Sequence, residues 1–177
     1  MGKNIEVVEK IINGKKYWKV SDALRTIDET DIAYSAGIID GEGSIIVGKG
    51  KQPVGNGYSY EILVSVHMMD GYVPEYMAEC FGGKRKQSPV NHPNKKGNFA
   101  YYYHANGSRS KILLSLVLPF LKIKRRQAEA AIYLQDKLSK NPRGKRVTAE
   151  MVKERERIRN LIHDLKQIPV NEREEGI

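Results

Sequence analysis

The sequence predicts an α+β protein in which helices cover one face of an antiparallel sheet. Segments with apolar residues every three to four positions are followed by pairs of segments in which apolar and polar residues alternate. The helical segments are 32–41, 71–81 and 108–117, and the strand segments are 44–51, 58–68, 84–88 and 99–104. The order is helix, two strands, helix, two strands and further helices. Antiparallel sheets can leave one face open.

The composition favours a polyanionic partner. The 177 residues suffice for one domain with a proper core, and 30 Lys and Arg against 21 Asp and Glu give a net charge of +9. This excess indicates nucleic acid or an anionic membrane, with a merely basic protein as the alternative. We expect no membrane association, because no apolar run approaches the roughly 20 residues of a span and the N-terminus lacks a signal-peptide pattern.

The single cysteine, Cys80, excludes an internal disulfide and a cysteine zinc cluster. We interpret it as a small apolar core residue on a helix. The sequence therefore predicts a reducing intracellular compartment, without indicating which one.

Residues 1–30 are predicted to form an N-terminal extension made of a hairpin and a short helix. Segments 5–8 and 17–20 flank an Asn13-Gly14 turn, which is typical of a hairpin. Ser21 and Asp22 are candidate caps for a helix that reaches Ile27. Its lysines could serve a DNA-contacting arm, but we favour a solvent-exposed hairpin. These lysines are Lys15, Lys16 and Lys19.

The helix predicted over 32–41, with Asp31 as its N-cap, has one face almost without side chains. Ala33, Gly37 and Gly41 recur every four residues and share that face. Each glycine costs about 1 kcal/mol of helix stability relative to alanine. Close approach of a second backbone would offset this cost. We therefore predict a homodimer in which these residues form the interface.

Two acids follow at the end of this helix, where the helix dipole is already negative. Asp40 and Glu42 are unfavourable there unless a cation joins them. If a symmetry-related copy packs on the glycine face, two Glu42 carboxylates meet near one axis. Carboxylates and carbonyls suit Mg²⁺ or Ca²⁺. The alternative is a buried helix that ends in a tight Gly-Glu-Gly turn.

The predicted strands divide their side chains between a core face and an open face. In strand 58–68, Ile62, Val64 and Val66 are assigned to the core. The residues that alternate with them, which project to the opposite face, are mostly polar. A twisted, basic β-ribbon fits the DNA major groove, while the alternative is a solvated surface. The candidate DNA-binding residues are Ile46, Lys49, Lys51, Ser59, Glu61, Ser65, His67, Lys84, Arg85, Lys86, Gln87, Tyr101, Tyr103, Lys122 and Arg125.

Segment 35–43, Ser-Ala-Gly-Ile-Ile-Asp-Gly-Glu-Gly, resembles the signature of the LAGLIDADG homing endonucleases. Segment 118–128, with a Pro-Phe pair before Lys122 and Lys124, resembles a second block of that family. The resemblance covers about 31–138 and implies the αββαββα fold, an antiparallel β saddle over helices that dimerises through the signature helix. Residues 139–177 add a helix capped by Thr148 and a charged tail.

The resemblance also implies site roles. Glu42 and the Gly41 carbonyl correspond to the metal-binding positions, and Lys124 corresponds to the active-site lysine. The chain departs from the pattern where a polar residue organises water, because Met68 and Met69 occupy that neighbourhood. His67 is our substitute candidate, and a histidine that only faces DNA is the alternative.

With one signature, the chain resembles the single-motif, homodimeric members. This resemblance implies a Mg²⁺-dependent endonuclease, with Ca²⁺ or Mn²⁺ as substitutes in binding. It would cut double-stranded DNA at a long pseudo-palindromic site in intron or intein homing. Two alternatives stay open at this point: an RNA maturase that assists intron splicing, and a non-cutting DNA-binding regulator of the same fold.

Overall fold

The computed structural model describes residues 5–51, 57–90, 99–140 and 147–168. A small antiparallel sheet comes first, in the order β1 (Val7–Ile12), β2 (Lys15–Val20) and β3 (Ile27–Asp28). The predicted hairpin is confirmed, with its turn at Asn13 and Gly14, both at positive φ. The short helix predicted to reach Ile27 is wrong, because Ile27 pairs with Trp18 as a strand residue.

The main sheet is built from two helix–strand–strand units, as predicted. The elements are α1 (Glu29–Glu42), β4 (Gly43–Lys51), β5 (Tyr58–Met68), α2 (Tyr72–Phe81), β6 (Lys84–Pro89), β7 (Phe99–Asn106), α3 (Ser108–Val117), α4 (Arg125–Ser139) and α5 (Ala149–Asp164). The strand order is β4-β5-β7-β6 with all neighbours antiparallel. No helix in the described ranges is both long and apolar enough to cross a membrane.

Helix α1 begins three residues earlier than predicted. Asp28, rather than Asp31, is its N-cap and accepts a hydrogen bond from the Asp31 amide. The Asp31 side chain accepts one in return from the Asp28 amide, which completes a capping box. Asp31 also accepts hydrogen bonds from Arg25 and Tyr76, so the start of α1 is firmly fixed to its surroundings.

One hydrophobic core lies between the main sheet and the helices. Ile62, Val64 and Val66 of β5 are fully buried in it, as predicted, together with Ile32, Ala36 and Ile39 of α1. Val20 and Ile27 from the small sheet and Ile158 and Ile162 from α5 join the same core. The predicted boundaries at 30/31 and 138/139 therefore separate segments that share one core, and they stay a prediction.

The strand register decides which side chains reach the face of the main sheet that carries no helices, which we call the open face. Residues directly opposite each other in paired strands project to the same side. His67 pairs with Tyr102, and Tyr102 pairs with Lys86, so these three share the open face. The next row, Val66, Tyr103 and Arg85, points to the helices.

Candidate active site

Glu42 is the last residue of α1, at the point where the chain enters β4. Gly43 closes the helix by donating its amide to the carbonyls of Ile38 and Ile39. The Glu42 side chain is exposed. Within the described part of the chain it makes no hydrogen bond and no ion pair. Its carboxylate is therefore available to a ligand outside this protomer.

Asp40, the other acid of the pair, is occupied. Its carboxylate accepts hydrogen bonds from three consecutive backbone amides, those of Lys122 at 2.7 Å, Ile123 at 3.2 Å and Lys124 at 2.9 Å. These amides precede α4 and would otherwise lack partners within that helix. The sequence analysis treated Asp40 and Glu42 alike, but in the structure Asp40 is an acceptor of internal hydrogen bonds whereas Glu42 is exposed. Asp40 joins the end of α1 to the start of α4.

We expect Asp40→Ala to lower the free energy of unfolding by about 2–4 kcal/mol, because three amides lose a charged acceptor. Urea denaturation followed by circular dichroism measures this change. The matched control is Asp164→Ala, because Asp164 is exposed and its side chain pairs, among the described residues, with His163 alone, at 3.5 Å. The assignment is wrong if both variants unfold at the same urea concentration.

Lys124 brings its ammonium group to the end of α1. Its Nζ donates to the carbonyl oxygens of Ile39 at 2.9 Å and Asp40 at 2.5 Å. A cation at a helix C-terminus is stabilised by the helix dipole. The next carbonyl along the chain belongs to Gly41, and the next carboxylate to Glu42. The structure therefore places the Lys124 ammonium on the two carbonyls that directly precede Gly41 and Glu42, while its catalytic role stays a prediction.

His67 also lies close to this end of the sheet. Gly43 pairs with Val66, so His67 is one residue further along β5, level with the end of α1. On the open face its ring contacts Tyr102, at 4.6 Å between centroids, and His104, at 5.7 Å. Burial, with a contribution from His67 and two lysines, lowers the pKa of His104, which favours its neutral form at pH 7.

Two predicted DNA-binding residues are wrong because they are buried. Tyr103 is completely buried on the helix side of β7, and its hydroxyl has no hydrogen-bond partner in the described structure. Ser65 has the open-face parity but is only 2 % exposed. Both lie in the inner strands of the sheet, where neighbouring side chains cover them. Tyr101 shares the helix-side parity of Tyr103 and lies close to Gly71, so it too is not on the open face.

The strand register shows that four further residues predicted to contact DNA do not project to the open face. Lys49 projects toward α5, where its ammonium pairs with Glu156 at 2.5 Å. Arg85 pairs with Glu75 of α2. Lys51 lies two residues after Lys49 in β4, and Gln87 lies two residues after Arg85 in β6. Both therefore project to the helix side as well. The sequence prediction did not separate the two parities in these strands, and it therefore assigned residues of both parities to one shared polar face.

The open face keeps a polar and basic set of side chains. Of the predicted residues it carries Ile46, Ser59, Glu61, His67, Lys84 and Lys86. The sequence analysis missed several residues of this face, among them Tyr102, His104 and Asn106. Tyr102 and His104 can be assigned to this face because they pair with His67 and Ser65 of β5, respectively. Lys122 and Arg125 are exposed beside the end of α1, where Arg125 pairs with Glu129 at 3.4 Å.

The bare face of α1 is open in a single chain. A Cβ atom built on Gly37 or on Gly41 meets no other atom within 4 Å. Tyr34, 47 % exposed, and the half-buried Ile38 flank this strip. Neither glycine is therefore required by packing inside the protomer. The strip leads directly to the free carboxylate of Glu42.

Comparison with models of protein families finds no match, and comparison with curated protein sequences finds none either. Comparison with solved structures does find matches. The homing endonuclease I-CvuI, in complex with the I-CreI target DNA, superposes with a TM-score of 0.63 at 16 % identity, over 80 % of this chain and 85 % of that one. The chain has the LAGLIDADG homing endonuclease fold. The predicted αββαββα architecture is thereby confirmed.

Two further proteins with this fold match to a similar extent. The archaeal intron-encoded homing endonuclease I-Vdi141I, complexed with DNA, gives a TM-score of 0.63 at 19 % identity, over 81 % of this chain and 92 % of that one. The homing endonuclease I-TnaI gives 0.55 at 20 % identity, over 80 % and 95 %. By contrast, the chain spans only 43 % of the LAGLIDADG homing endonuclease I-GzeII. At these identities the likeness shows the fold.

Proposed function

We propose that the protein is a homodimeric, site-specific DNA endonuclease that cuts both strands of a long pseudo-palindromic site in intron or intein homing. The observation that carries this proposal is the position of Glu42. Its exposed carboxylate, which has no partner among the described residues, ends a helix face without side chains and lies where the open sheet face begins. Within residues 5–51, 57–90, 99–140 and 147–168 no interaction accounts for either feature.

The dimer follows from the strip of Ala33, Gly37 and Gly41. Two copies of α1 that pack along this strip approach closely enough for backbone contact, and their C-terminal ends then lie side by side. A two-fold axis between them makes the interface self-complementary and brings the two Glu42 carboxylates together. The two open faces then follow one duplex as two half-sites, which agrees with pseudo-palindromic DNA.

The residues at the end of α1 fit a divalent cation. Two Glu42 carboxylates and two Gly41 carbonyls offer hard oxygen ligands, which Mg²⁺ and Ca²⁺ prefer. Mg²⁺ is the proposed ion, and Ca²⁺ or Mn²⁺ are the proposed substitutes in binding. Structures of I-CvuI with DNA exist in the presence of 2 mM Mg and of 2 mM Ca. When bound, such an ion supplies activation of water and stabilisation of the leaving oxygen.

The chain's own groups have separate tasks in this proposal. Glu42 would supply negative charge that holds a cation, and the Lys124 ammonium, held at the end of α1, would stabilise charge that develops on a phosphate. His67, exposed at the end of β5, is the candidate that orients water or carries a proton. The open face supplies contacts to bases, while Lys122 and Arg125 supply contacts to phosphates, which position the duplex without specifying sequence.

We expect Lys124→Met to slow cleavage by roughly 10²-fold while DNA affinity changes less than about threefold. The variant loses the cation at the α1 terminus but keeps the backbone amides that bind Asp40. Single-turnover cleavage and equilibrium binding, measured on the same duplex, separate the two effects. Lys122→Met is the matched control, because its loss should weaken binding and leave the bound complex active. Equal losses of binding and cleavage in Lys124→Met would reduce Lys124 to a phosphate contact.

The function is tested by incubating the purified protein with a library of duplex target sites in Mg²⁺ and sequencing the ends. Staggered breaks at one site with two-fold symmetry support the endonuclease. Tight binding to folded intron RNA without DNA cleavage would support a maturase instead. Binding to duplex DNA that needs no metal and yields no breaks would support a regulator.

A further inference from the structure

Helix α5 lies outside the αββαββα unit and covers the outer strand of the main sheet. Ile158 and Ile162 bury one side of α5 in the core, each only 2 % exposed. Glu156 fastens the helix to β4 and β5, because it pairs with Lys49 and accepts a hydrogen bond from the Tyr60 hydroxyl. Burial and this hydrogen bond raise the pKa of Tyr60 to about 12. The position of α5 along β4 is therefore fixed.

An open pocket of about 300 Å³ lies between α5 and β4. Its floor is apolar and is formed by Ile46, Val47 and Ile162. Its wall comes from α5, which carries Arg159, Asn160 and His163, and from the turn after α5, which carries Lys166; no carboxylate is among these described lining residues. Ile46 belongs to the open face, so the pocket opens where that face meets the edge of the sheet.

The charges around this pocket are not balanced. Arg159 pairs with the Oε2 atom of Glu156 at 3.8 Å, while Lys49 and Tyr60 engage Oε1 of the same carboxylate, so one acid is shared by two cations. His163 lies 3.5 Å from the exposed Asp164. Lys166 is exposed and has no ion pair with any residue the structure describes. Its ammonium is therefore accessible to an anion that reaches the pocket.

We propose that this pocket binds a backbone phosphate of the DNA, with Lys166 and Arg159 as its ligands, and so extends the DNA contact beyond the sheet. This inference rests on the proposed function, because it needs a duplex on the open face. Four strands about 4.8 Å apart span roughly 14 Å. The major groove is about 12 Å wide. A sheet that fills the groove therefore has the phosphate backbone at its edge, where the pocket opens.

The test is the salt dependence of binding to a 30-base-pair duplex without divalent metal. Each lost phosphate contact reduces the slope of log K against log [salt] by about 0.9, so Lys166→Gln in both protomers should reduce it by about 1.8. We expect roughly tenfold weaker binding at 0.15 M salt. Lys166→Arg should retain both values. Arg159→Gln, as a second variant, should act in the same direction as Lys166→Gln.

Lys153→Gln is the matched control, because it removes the same charge from α5 on the side that faces a different pocket. It should leave the slope unchanged. The inference alone is overturned if wild-type protein binds the duplex and Lys166→Gln shows the wild-type slope. If wild-type protein binds no duplex, the proposed function fails as well. Calorimetry with inorganic phosphate is a further measurement. If phosphate binds and this binding depends on Lys166, while the salt slope of DNA binding is unchanged in Lys166→Gln, the pocket binds free anions and not the DNA backbone.

Discussion

Replacing Glu42 by glutamine will leave a protein that binds its DNA site but cleaves it at least roughly 10³-fold more slowly, a loss of about 4 kcal/mol of transition-state stabilisation. The amide keeps the size of the side chain and removes the charge that holds a cation. The fold should not suffer, because Glu42 is exposed and has no internal partner among the described residues. Cleavage in Mg²⁺ and binding in Ca²⁺, on the same duplex, provide the measurements.

Glu29→Gln is the matched control for this variant. Glu29 is exposed on the same helix but lies at its opposite end, in the first turn. It should cost no more than about 1 kcal/mol of helix stability through the dipole and leave cleavage intact. Full activity of Glu42→Gln would exclude Glu42 from the catalytic centre. Loss of DNA binding in Glu42→Gln would instead indicate that the acid has a structural task.

Gly37→Leu is expected to convert the dimer into a monomer and to abolish double-strand cleavage with it. A leucine side chain projects from the strip where a second backbone is expected to pack. In the isolated protomer we expect the same change to be tolerated, because Gly37 is exposed and a Cβ built there meets no described atom within 4 Å outside the adjacent helix backbone. It should even raise monomer stability by about 0.5–1 kcal/mol, because glycine is a poor helix former. Sedimentation velocity and thermal unfolding report the two effects separately.

Gly37→Leu is expected to weaken dimerisation but to raise the stability of the monomer, and this combination distinguishes loss of the interface from misfolding. A variant that merely misfolds would lose stability and association together. Lys153→Leu places the same side chain on an exposed position of α5 and should remain dimeric. An unchanged sedimentation coefficient for Gly37→Leu, at concentrations where the wild type is dimeric, would place the interface elsewhere.

The order of helices and strands could be predicted from the sequence because hydrophobic periodicity is a local signal. β5 and α3 begin and end at the residues that the pattern indicated, Tyr58 to Met68 and Ser108 to Val117. The failure in 21–27 has a non-local cause, since Ile27 is held as a strand by Trp18 of β2. Its local sequence gives no sign of that partner.

The site residues were predicted with mixed success, because short motifs can be recognised locally in the sequence whereas strand register and distant partners cannot. Glu42, Gly41 and Lys124 were proposed from two short motifs, and the structure places the Lys124 ammonium at the end of α1 that carries Gly41 and Glu42. The assignment of open-face residues failed for Lys49 and Arg85, because their parity relative to the core can be read only from strand register. The role of Asp40 was also hidden, because its three partners lie more than 80 positions away along the chain.

The strict alternation of the main sheet separates recognition from structural integrity. Side chains at Glu61, Lys86 and Tyr102 project away from the core, while their neighbours on the helix side, Ile62 and Tyr103, are fully buried. Substitutions on the outer side therefore leave the buried packing intact, and under the proposed function they would change mainly which bases are favoured.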